Sequence, residues 1–110
     1  QGAIMNINYI GQNIEVTPGI KEHTQKKFAK IAKHSTQVEA VNVSFHLENR
    51  EHIAKATIHL PKTDLFAHHS SEDLYKSIDF LTTKLITKLD KHHDIMQSSK
   101  KNSHNKDNNL

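Results

Sequence analysis

Lys84, Lys88 and Lys91 recur at i, i+4 and i+7 within "LTTKLITKLDKHHD", residues 81–94, and Lys26, Lys30 and Lys33 repeat that interval in "KKFAKIAK". On a helix this interval brings side chains into one line, and Lys84 to Lys91 would span about 10 Å of rise. The Debye length is about 8 Å at physiological salt, so the potentials of neighbouring lysines overlap. A phosphate chain gains from such a line through counterion release. For either stripe alone a solvated, soluble helix face is an adequate explanation. Two matched stripes, with Lys100, Lys101 and Lys106 near the C-terminus, point instead towards a polyanion.

Other chemistry is less well supported. Ten histidines include the adjacent pairs His68-His69 and His92-His93, but neighbouring side chains on a strand or helix point apart, so neither pair is a ready metal chelate. His46 and His59 are expected as cross-strand neighbours on a wet sheet face. Asp79 and Tyr75 lie four residues apart and are expected to pair structurally. Because nucleophile elbow, phosphate loop and paired-carboxylate motif are all missing from the sequence, an enzyme is not indicated; neither cofactor nor metal is expected. Sheet-borne RNA readers need outward aromatics, and only Phe66 could face outward from a strand. Gly2, Gly11 and Gly19 supply no Gly-x-x-Gly clamp. What the residues leave is recognition of shaped RNA by helix-borne cations.

The charge is unevenly spread. Residues 17–35 carry five lysines against Glu22, whereas residues 36–74 carry six acids against Arg50, Lys55 and Lys62. A length of 110 residues with 35% hydrophobic content suits one small core. Lack of cysteine, of an apolar run near 20 residues and of a signal-like start together lead to the expectation of a cytoplasmic protein without membrane attachment. Gln1–Ile4 read as an expression scar ahead of Met5.

Hydrophobic periodicity supplies the elements that must carry these lysines. Asn6–Gly11 predicts a first strand. Thr17-Pro18 predicts an N-cap and first helical position, opening a helix to about His34 with Ile20, Thr24, Phe28 and Ile31 buried. Residues 40–48 alternate, with Val41, Val43, Phe45 and Leu47 on the core face. "ENRE" and "PKTD" predict turns around a strand through Ala54, Ala56, Ile58 and Leu60, and Leu65 and Ala67 predict a short last strand. A serine cap with first-turn acids at Ser70–Asp73 should open a long helix from Ser71 to Met96, about 39 Å in length, with Leu74, Ile78, Leu81, Leu85, Leu89 and Met96 on its apolar side. Residues 97–110 hold only Leu110 as a large apolar residue and are expected to form a disordered, Lys/Asn-rich tail. The order is βαβββα, an α+β fold with both helices on one face of a four-stranded sheet.

"NYIGQNIEVTPGIKEHTQKKFAKI" and "DLYKSIDFLTTKLITKLDKHHD" resemble the short ribosome hibernation promoting factors, the family also called sigma-54 modulation proteins, which includes protein Y. The resemblance runs from about Met5 to Met96 and is most specific at Tyr75, Ile78, Asp79, Lys84, Leu85, Leu89, Lys91 and His92. It implies a domain similar to double-stranded-RNA-binding folds that sits on the small ribosomal subunit between head and body, over the mRNA channel and tRNA sites. By position, Lys27, Lys30, Lys84, Lys91 and His92 match basic residues of the family associated with ribosomal RNA. With the stripe residues Lys26, Lys33 and Lys88, they complete the candidate set. Thr87 stands where relatives often carry arginine, and His93 where they often carry lysine. The family's long form adds a C-terminal dimerisation domain that this chain does not show, so self-driven ribosome pairing is not expected; the free protein is expected to be a monomer. Within the short branch, some members pair dormant ribosomes with the help of a small partner protein and others hold ribosomes singly. The expectation is a translation inhibitor of stress or stationary phase. Its alternatives are a modulator of sigma-54-dependent transcription and a general double-stranded-RNA binder.

Overall fold

The computed structural model describes residues 6–35 and 37–101, with side chains to residue 93. Strand β1 (Ile7–Gln12) is followed by helix α1 (Pro18–Ala32), strands β2 (Ala40–Glu48), β3 (Glu51–His59) and β4 (Asp64–Ser71), and helix α2 (Leu74–Lys101). The sheet order is β1-β2-β3-β4. β1 lies parallel to β2, which requires α1 as the crossover, and the other neighbours are antiparallel. This is the expected βαβββα arrangement.

Local chemistry explains the element ends. The Thr17 hydroxyl accepts the Ile20 N–H at 3.2 Å, and Pro18 follows it at the start of α1. At Gly11 an added Cβ would come within 2.5 Å of the Ile14 carbonyl oxygen, so the return from β1 requires a residue without a side chain. Asn49 and Arg50 have φ of 52° and 69°, the pair of positive values that a two-residue type I′ hairpin demands. Arginine bears that conformation at a cost, since its Cβ crowds the backbone.

The start of α2 departs from expectation. Ser71 is still in register with His52, so β4 reaches further than the short strand foreseen. The cap is Asp73: its carboxylate accepts the Tyr75 N–H at 2.9 Å, and its carbonyl accepts the Ser77 N–H at 3.0 Å. Glu72 and Asp73 thus precede the first turn instead of occupying it. A carboxylate is the stronger acceptor for an orphan N–H of the helix, while the Ser71 hydroxyl accepts the Asp73 N–H at 3.3 Å and lies 2.7 Å from Ser77 Oγ. The far end also differs. α2 continues to Lys101, past the Met96 limit, because each residue added to an existing helix gains a hydrogen bond for a small propensity cost. Residues 97–101, within the stretch expected as tail, thus belong to α2, while 1–5 and 102–110, where the scar and the rest of the tail were expected, lie outside the described residues.

The core lies between the helices and one sheet face. Phe28 and Ile31 of α1, Val41 and Phe45 of β2, Ile58 of β3, and Ile78, Leu81, Leu85 and Leu89 of α2 are all fully buried. α2 rests on β3 and β4, where Ala54, Ala56 and Ala67 leave room for a close helix. The opposite sheet face carries polar side chains in a bonded line across four strands. Asn8 donates to Asn42 Oδ1 at 2.8 Å, Asn42 Nδ2 donates to His59 Nε2 at 2.8 Å, and His59 Nδ1 donates to Asp64 at 2.9 Å. His46 and His59 are not the neighbours foreseen: His46 is opposite Ile53 and His59 opposite Ala40, at different ends of the pairing.

Candidate nucleic-acid interface

The helices run in the same direction, side by side. His23 Nε2 on α1 donates to Asp79 Oδ1 on α2 at 2.8 Å, and His34 Nδ1 donates to Asp90 Oδ1 at 2.9 Å. Both pairs have a sequence separation of 56, which only parallel helices in a constant register can repeat over three turns. Tyr75 and Asp79 do not bond each other. Both engage His23, the tyrosine edge-on at 4.9 Å between ring centres.

This seam sorts the lysines. Lys27 shares the flank of His23 and His34, and its Nζ lies 3.6 Å from Asp79. Its charge is partly answered inside the protein. Lys26, Lys30 and Lys33 sit further round α1 and are exposed. Lys21 leaves for the other flank, its Nζ 5.6 Å from the centre of the Tyr9 ring; burial also raises the Tyr9 pKa, against a weaker lowering by its hydrogen bond with Gln25.

On α2 the seam takes Asp79 and Asp90, and the lysines take the flank above β4. Lys84 Nζ donates to the main-chain carbonyl of His68 at 2.9 Å. It thereby covers a carbonyl on the outer strand of the sheet, a position that would otherwise invite another strand. Lys84, Lys88 and Lys91 are all exposed. His92 is not in their line: it follows Leu85 and Leu89 by seven and three residues and is half-buried. The fold thus groups Lys84, Lys88 and Lys91 on one flank and Lys26, Lys30 and Lys33 on the outer face of the neighbouring helix. Lys27 and His92 are set apart.

One residue on this flank escaped the sequence reading. Phe80 is 54% exposed and stacks on His69, with ring centres 4.7 Å apart and planes 26° from parallel. Its signal was present: an aromatic four residues before Lys84 belongs to the lysine line, not to the leucine line. His69 has its pKa held below the ordinary 6.5, chiefly by burial, then by the charges of Lys84 and His68. Among the described residues no group of three or more metal-ligating side chains comes together, and no helix is long and apolar enough to cross a membrane.

The described domain matches known proteins in both sequence and shape. Residues 7–97 match the model of the family described as Sigma 54 modulation protein / S30EA ribosomal protein. The ribosome hibernation promoting factor of Acinetobacter guillouiae is 35% identical over 98 residues, covering 80% of this chain and 87% of that protein. A ribosomal subunit interface protein from Coxiella burnetii superposes with a TM-score of 0.78 at 31% identity, over 82% of this chain and 99% of that one. The N-terminal domain of Thermus thermophilus Protein Y gives 0.75 at 27% identity, over 80% and 99%. With a family model spanning most of its length and a relative above 30% identity, this chain belongs to the Sigma 54 modulation protein / S30EA ribosomal protein family, that of the ribosome hibernation promoting factors.

Proposed function

We propose that this protein is a ribosome-associated hibernation factor that attaches to ribosomal RNA of the small subunit. Its cations are Lys84, Lys88 and Lys91 on α2 and Lys26, Lys30 and Lys33 on α1; Lys27 and His92 have lesser parts. Attachment over the mRNA channel and tRNA sites inhibits translation by occupancy, in stress or stationary phase, in the cytoplasm and without catalysis. The observation that carries this reading is the alignment of exposed lysines on the helical layer of a domain whose relatives are named ribosome hibernation promoting factors. Phosphate neutralisation by such a line supplies affinity without base reading. The free protein is a monomer, and a small ribosome-pairing protein is a candidate partner.

Co-sedimentation with purified small subunits tests this. The Lys84→Glu, Lys88→Glu, Lys91→Glu triple variant should leave the pellet while keeping the wild-type circular dichroism spectrum. Because Lys84 also bonds the β4 backbone, the Lys88→Glu, Lys91→Glu double variant separates charge from sheet-edge integrity. Wild-type binding by both variants would refute the assigned surface. The family description also names sigma 54 modulation; a polymerase complex that survives RNase treatment would favour that reading instead. Equal affinity for an isolated RNA duplex and for subunits would favour a general duplex binder.

A further inference from the structure

Phe80 is out of place by the rules that explain the rest of α2. Its neighbour Leu81 is fully buried, so the helix phase carries Phe80 away from the core. At an exposed helical site lysine, glutamate or alanine would serve the helix better than an aromatic ring. Yet the ring stands between Lys76 and Lys84, four residues to either side and both exposed. One side of it lies against the His69 ring, which limits its freedom and leaves much of the remainder open.

We infer that Phe80, backed by His69, is a stacking platform for one unpaired base of an RNA chain, with Lys76 and Lys84 placed to hold the phosphates on either side. This rests on the ribosomal reading above and adds to it a contact that is not ionic. Every base has a π face, so such a platform is tolerant of sequence and suits a looped-out or single-stranded nucleotide. The flanking ammonium groups supply the charge complementarity that chooses a nucleic acid over an apolar peptide. Burial and Lys84 both oppose protonation of His69, which disfavours a further cation beside the lysines. Pre-ordering by His69 also means that less side-chain freedom is lost on binding.

The test is the affinity of the full chain for purified small subunits, measured at one salt concentration for wild type and for Phe80→Ala, Phe80→Leu and Phe80→Tyr, with thermal melts to verify folding. Stacking on a base predicts a loss of about tenfold for alanine, a similar loss for leucine, and tyrosine within about twofold of wild type. An alanine variant that binds like wild type overturns the platform and leaves the ribosomal reading standing. Recovery by leucine as complete as by tyrosine also overturns it, because an apolar contact with a protein side chain needs no π face. Failure of the wild-type protein itself to bind subunits overturns both.

Discussion

Asp79 and Asp90 line the flank of α2 that meets α1, whereas Phe80 and Lys91, each one residue further on, line the flank beside β4 with Lys84 and Lys88. One residue is about 100° of helix rotation, enough to move a side chain from an inner seam to an open surface. In the seam, hydrogen-bond donors meet carboxylates: His23 and Lys27 share Asp79, and His34 takes Asp90. On the flank, among the described residues, a lysine finds a neutral carbonyl in place of an acid. The positive field facing solvent is therefore set less by how many lysines a helix carries than by which flank the neighbouring helix covers.

Four measurements would break or sharpen this contrast. The largest effect belongs to the residue both flanks stand on. Leu85 is fully buried, and Leu85→Ala should cost about 2–5 kcal/mol in urea unfolding, as a cavity beneath a closely packed helix does. Subunit binding should then fail only where the variant unfolds. Salt dependence separates the flanks directly. For Lys88→Gln the slope of log K against log salt should fall by about one, and for Lys27→Gln, half-satisfied by Asp79, by clearly less. Equal slopes would erase the distinction.

Asp79→Asn should act in opposite directions on the two properties. Its side chain is 43% exposed, so removal of the charge should cost no more than about 1 kcal/mol of stability. Freed from its acid, Lys27 should then tighten subunit binding modestly, by filter assay. The smallest effect concerns pH. With its folded-state pKa below 6.5, His69 binds a proton more readily in the unfolded chain. Its contribution to stability is thus full above about pH 6.5 and is lost as pH falls towards the folded value. Thermal melts of His69→Gln between neutral and mildly acidic pH should therefore show a shallower decline than wild type. An unchanged slope would mean that the ring beside Phe80 is freely protonated.

Local patterns in the chain go far towards the fold. The alternation from Val41 to Leu47, the apolar line from Leu74 to Leu89, Thr17-Pro18 and the polar "ENRE" stretch lead directly to β2, α2, the start of α1 and the hairpin. Each depends on neighbours a few residues away, which is why each is legible. Misplaced features involve competition at boundaries. Ser71 reads as a cap until its pairing with His52 across the sheet is known, and His46 and His59 read as neighbours until the strand register is counted.

The sequence by itself determined that two helices carry lysines at matched intervals, because 3.6 residues per turn converts spacing into a direction on one's own helix. Only the tertiary structure decided what each direction meets. Lys27 is answered by an aspartate on another helix, Lys84 by a carbonyl of β4, and Phe80 by a histidine of that same strand. Those partners are distant in the chain and become neighbours only when the shared core of leucines, isoleucines and phenylalanines closes, since burial brings faces together without regard to sequence separation.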